Sequence, residues 1–196
     1  MPDPDRPVAA PGRSAAAGLR LAVTTLTVVP LRPGRVDRAA ATVAMGLAPL
    51  VGVALGAALG ALLVGLTATG LPAAVAGALT VAAAVLLTRG LHVDGLADTV
   101  DALGSYRSGE AALEVMRKPD IGPFGVAAVV LTLLVQATAL GALAARPWQH
   151  VVVAVVTATA TGRLAVAAAC RRGVPAARGG CCGAWKRSGA ASRAAT

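Results

Sequence analysis

Asp94, Asp98 and Asp101 are spaced i, i+4, i+7, a spacing that sets three carboxylates on one face of a helix. Like charges on one face repel, and no basic residue follows until Arg107. A divalent cation relieves that repulsion, and Mg²⁺ suits the donors: it prefers oxygen ligands and binds one or two carboxylates together with substrate phosphates. The bland alternative is a solvated helix face, but such faces mix signs, whereas this one is purely acidic and bounded by apolar residues. His92, two residues before Asp94, is a candidate base, phosphate donor or ligand; a lone His near a membrane interface is also a common polar anchor.

A second stretch adds the opposite charge. It reads Glu114-Val115-Met116-Arg117-Lys118-Pro119-Asp120-Ile121-Gly122-Pro123-Phe124-Gly125. Arg117 and Lys118 supply positive charge for phosphates. Gly122 and Gly125 let the backbone approach closely where a helix begins, and helix N-terminal amides favour anions. Alone, the stretch also fits an interface loop with snorkelling basic residues. Beside the aspartates it completes a site with acids for metal and bases for phosphate.

These residues are positioned by a chain of 196 residues, of which 56% are hydrophobic and 14% charged, with a mean hydropathy of +0.72. Soluble domains average roughly 25% charged residues. Residues 39–88 form a run of 50 without Asp, Glu, Lys, Arg or His, room for two spans of roughly 20 residues each. The Gly/Pro turn signal at residues 67–72 divides it. Residues 121–145 are also uncharged, and residues 151–170 are apolar apart from Arg163. We therefore expect an all-α, polytopic helical membrane protein with about four transmembrane helices, near 42–66, 71–89, 123–145 and 151–170, the site lying in the loop 89–122. Residues 19–31, ended by Pro30 and Pro33, are too short to span and read as a helix at the interface or beneath the bundle. Residues 1–18 lack the apolar core of a signal peptide and read as a flexible tail. Gly52, Gly56 and Gly60, four apart, make a flat face for helix packing.

The net charge of +9 is distributed, not clustered for nucleic acid. Six Arg precede the first span, four Lys/Arg lie in 89–120, one lies in 146–150, and six follow residue 170. This alternation places both termini and the 89–122 loop in the cytoplasm of a multi-pass cell-membrane protein. Nucleic-acid modules are absent from the sequence, and aromatics at 2% are too few for base stacking. Against this background, six of the nine acidic residues fall between 94 and 120.

The segment Gly90-Leu91-His92-Val93-Asp94-Gly95-Leu96-Ala97-Asp98-Thr99-Val100-Asp101 resembles the signature of the cobalamin synthase family of adenosylcobinamide-GDP ribazoletransferases. Leu113–Arg117 and Asp120–Gly125 resemble its second signature, and the similarity covers about residues 19–178. The resemblance implies a Mg²⁺-dependent membrane transferase. It joins adenosylcobinamide-GDP to α-ribazole or its 5′-phosphate, releasing GMP, late in cobalamin biosynthesis. It implies catalytic roles for His92, Asp94, Asp98 and Asp101, with metal at Asp94, Asp98 and Asp101. Substrate binding falls to Glu114, Arg117, Lys118, Asp120, Gly122 and Gly125; a homo-oligomer is left open. The sequence departs from the pattern at Lys118-Pro119, where many relatives carry Asp-Ser, and Asp120 stands just after. Residues 179–196, with Cys181-Cys182, read as an atypical tail of a truncated or frameshifted end. Two other readings compete. A CDP-alcohol-type phosphotransferase requires an Arg soon after Asp-Gly, and Asp94-Gly95 has none. A small transport subunit would account for Arg163 inside a span, but it needs its acids in the membrane.

Overall fold

The computed structural model describes residues 11–31, 37–117 and 120–170. All regular structure among them is helical: α1 (Pro11–Leu26), α2 (Arg38–Ala68), α3 (Ala73–Leu87), α4 (Leu91–Gly104), α5 (Glu110–Val115), α6 (Pro123–Leu143) and α7 (Trp148–Ala169). The 179–196 tail and Lys118 lie outside the described residues.

α2, α6 and α7 are long and apolar enough to cross a membrane. At 1.5 Å per residue, the 31 residues of α2 extend about 46 Å and the 21 of α6 about 31 Å, against a hydrocarbon core of about 30 Å. Leu131, Leu134, Val135 and Val153 are more than half exposed, which water would penalise and lipid does not. Asp37 starts α2 by accepting the Ala40 N–H at 2.8 Å, and Pro49 sits in its interior.

The expected span at 71–89 is different in kind. α3 has 15 residues, about 22 Å, and turns by 90° into α4. Only if this bent pair is counted as one span are there four. The bend is a Schellman motif: the Gly90 N–H donates to the Val85 carbonyl at 2.8 Å and the Arg89 N–H to that of Leu86 at 3.2 Å. Arg89 and Gly90 both take left-handed φ, 55° and 66°. No Gly/Pro pair announces this break, so the apolar run reads as longer than the helix.

Two other boundaries move. α1 starts at Pro11, inside the stretch expected to be a flexible tail, and packs along α2 through Ala22 and Leu26 against Ala44, Ala48 and Val51. Pro147 caps α7, so Trp148–His150, expected in a loop, form its first turn.

The helices pair in two layers. α1 and α7 pack on α2, while α3 and α4 pack on α6; α2 and α3 link the layers, and α6 and α7, though consecutive, barely touch. The Gly52/Gly56/Gly60 face meets α7, as the spacing predicted. A Cβ at Gly56 would lie 2.6 Å from Val156 Cα, and one at Gly52 would lie 2.8 Å from the Thr159 carbonyl. That closeness lets the Thr159 hydroxyl donate to the Gly52 carbonyl at 2.8 Å. Gly77 and Gly141 make the equivalent contact between α3 and α6.

Candidate functional site

α4 carries the acidic motif on a helix perpendicular to α3. Ala97 and Ala102 are buried beneath it, and the aspartates lie on another face: Asp94 is exposed, and Asp98 and Asp101 are half-buried. Partial burial first, then the charges of Asp94 and Asp101, hold the Asp98 pKa above the usual carboxylate value. The repulsion that the spacing predicted is the smaller part of that effect.

Asp101 has a structural partner that the spacing did not reveal. Its Oδ2 accepts the Gly122 N–H at 2.7 Å and its Oδ1 accepts the Gly125 N–H at 2.8 Å. Gly122 is the N-cap of α6, followed by Pro123 at the first helical position. A Ser or Thr cap would satisfy one of these amides from within the helix. Gly122 has no side chain, so a carboxylate 21 residues upstream serves both. The two glycines are needed for this approach: a Cβ at either would collide with the Asp101 carboxylate. Gly122 and Gly125 were expected to offer amides to a phosphate. The structure gives those two amides to Asp101, because an anionic side chain already sits at the helix N-terminus. Phe124 secures the same junction, its ring where a Cβ on Gly104 would lie.

His92 stands apart from the acids. Two residues along a helix is a rotation of about 200°, so His92 and Asp94 occupy opposite sides of α4. Its Nδ1 lies 3.1 Å from the Thr88 hydroxyl. Partial burial of the ring, and then the positive charge of Arg163, lowers its pKa. Thr88 could have been noticed from its i, i+4 relation to His92; the influence of Arg163 of α7 has no local signal.

The remaining predicted residues lie along the connector. Glu114 is exposed on α5, which packs on α4. Arg117 and Asp120 are exposed beyond its end. Among the described residues, no group of three or more His, Cys, Asp and Glu side chains is gathered to hold a metal ion. With Asp101 engaged by two amides, the open donors are Asp94 and Asp98.

A profile of the cobalamin-5-phosphate synthase family matches residues 18–195. The chain belongs to this family. The match runs through residues 179–195, the stretch that reads as an atypical tail in the sequence. An adenosylcobinamide-GDP ribazoletransferase of Frankia casuarinae is 44% identical over 172 residues, covering 81% of this chain and 60% of the relative. Relatives of the same name from a Nocardioides species and Azorhizobium caulinodans are 46% and 43% identical, with 65% and 60% of this chain and 56% and 44% of the relatives covered. The chain therefore matches about 60% or less of the length of these relatives. No solved structure matches it. The family match sets aside the CDP-alcohol and transport readings.

Proposed function

We propose that this cobalamin-5-phosphate synthase family chain carries the acidic centre of a membrane transferase. That enzyme joins adenosylcobinamide-GDP to α-ribazole or its 5′-phosphate with release of GMP. The observation that carries the reading is the division of labour on α4: Asp101 fastens the helix to α6, leaving Asp94 and Asp98, one turn apart, as open carboxylates.

That donor set fits Mg²⁺, which takes one or two carboxylates and completes its shell with water and phosphate oxygens. Asp94 and Asp98 would hold it. When bound, the ion supplies neutralisation of the charge on the phosphate oxygens. A ribose hydroxyl oxygen bonds to the phosphorus nearer the cobinamide, the P–O bond to GMP breaks, and the hydroxyl proton must be accepted. His92 lies across the helix from Asp94, so a carboxylate on the acidic face of α4 suits that transfer better. Arg117, at the end of α5, lends positive charge to the departing GMP. The cytoplasmic placement of both termini and the 89–122 loop follows from the basic-residue alternation and requires α3, despite its length, to return the chain across the bilayer.

The test is GMP release by lipid-reconstituted protein given adenosylcobinamide-GDP, α-ribazole and Mg²⁺. Asp94→Asn should reduce turnover by roughly a hundredfold or more while melting normally, since Asp94 is exposed. Full activity in that variant would remove Asp94 from the metal site; no turnover from the wild-type chain would overturn the proposed activity.

A further inference from the structure

A cavity of about 640 Å³ separates the α2–α7 pair from the α3–α6 pair, within the usual size range of ligand sites. Leu55, Leu59, Val81, Leu140 and Val155 supply apolar wall. Its polar end is formed where α3 stops and α4 starts, by Thr88, His92 and the one fixed charge, Arg163. Arg163 is six residues from the end of α7, about 9 Å along the axis. Its Nη2 donates only a long bond, 3.4 Å, to the Leu26 carbonyl, and no carboxylate pairs with it among the described residues. A half-buried guanidinium without an anion is an unmet electrostatic demand. The acids of α4 cannot meet it, because they lie on the side of that helix away from His92.

We propose that this cleft binds an anionic phospholipid of the surrounding bilayer, phosphate at Arg163 and one acyl chain between the two helix pairs. The chain enters from the side between α6 and α7, which make little contact beyond the cluster of Val151 with Leu140 and Leu143 at one end. The wall is mostly apolar: Thr80 and Thr159 line it with hydroxyls that donate to the Ala76 and Gly52 carbonyls, and Gln136 adds one amide. The single fixed charge is positive, which favours a headgroup of net negative charge over a zwitterionic one that would bring a second cation beside Arg163. A soluble nucleotide is the poorer occupant: held here, it would sit across α4 from the reactive carboxylates.

The test uses the purified full chain in detergent with phosphatidylglycerol or phosphatidylcholine carrying a diazirine on the acyl chain. After irradiation, labelled peptides are mapped by mass spectrometry. Phosphatidylglycerol should label cleft residues such as Leu55, Leu140 and Ala158 at least tenfold more than phosphatidylcholine. Arg163→Lys should retain that preference and Arg163→Gln should lose it. Should Arg163→Gln fail to fold, competition of unlabelled lipids on the wild-type chain gives the same discrimination. Equal labelling by both lipids, labelling confined to the outer helix faces, or displacement of the label by α-ribazole 5′-phosphate would overturn the proposal.

Discussion

At the scale of single residues, the three aspartates are alike in type and unlike in task. Asp101 satisfies two amides that the start of α6 cannot satisfy itself. Hydrogen bonds to a charged group are worth about 1.5–3 kcal/mol each where burial is substantial. Asp101 is half-buried, so Asp101→Ala should lose about 2–3 kcal/mol in total, read as a lower melting temperature in detergent. Asp94→Asn should leave that melt unchanged. Equal destabilisation by the two would contradict the separation of roles. Gly125→Ala tests the same contact from the other side: its Cβ would meet the Asp101 carboxylate and lie 2.9 Å from the Ala97 carbonyl. It should destabilise at least as much as Asp101→Ala, because backbone cannot yield cheaply. The carboxylates were legible in the sequence because their spacing matches one helical face. Asp101's partners were not, because a contact across 21 residues leaves no periodicity.

At the scale of elements, the α3–α4 corner decides where the acids point. It is held by two Schellman hydrogen bonds, and it places Arg89 at φ 55°, a conformation that costs a non-glycine residue about 1–2 kcal/mol. Arg89→Gly should therefore raise stability by about 0.5–1 kcal/mol after the added freedom of the unfolded chain is counted. A chemical or thermal unfolding series reads this directly; a loss of stability would mean that the Arg89 side chain contributes more than its backbone costs. The same corner shows why the apolar run misled. Leu86, Leu87 and Thr88 continue the composition of a span, but the stop is set by main-chain geometry. The Gly52/Gly56/Gly60 face was legible, since small residues four apart have little other use on a long apolar helix. Gly56→Leu should separate α2 from α7 and abolish a monodisperse detergent-solubilised species, because Val156 Cα leaves no room even for a Cβ.

At the scale of the whole molecule, the two helix layers meet chiefly through α2 and α3, with the 640 Å³ cleft between them. The all-helical membrane class followed from the absence of charge over 50 consecutive residues. The layering did not, because α6 and α7 are joined by a short loop and consecutive helices usually pack together. Topology can be tested in a background with Cys170, Cys181 and Cys182 replaced by serine. A cysteine at Ser105 should be shielded from impermeant maleimide in intact cells and labelled after lysis. One at Thr69, exposed in the α2–α3 turn, should be labelled from outside. The opposite pattern would invert the orientation drawn from the basic residues.

The Asp101 clamp also bears on how the chain tolerates change. The two sequence signatures are halves of one joint: the carboxylate of the first fits only against the Gly-x-x-Gly of the second. A scaffold given α4 alone would receive an unmet negative charge, and one given the start of α6 alone would receive two bare amides. The connector between them is under a weaker constraint. Its ends are fixed by the joint, and lengthening a closed loop costs only about 0.6 kcal/mol per doubling. Insertions should collect in residues 105–112, ahead of the second signature, while the spacing within each half stays rigid.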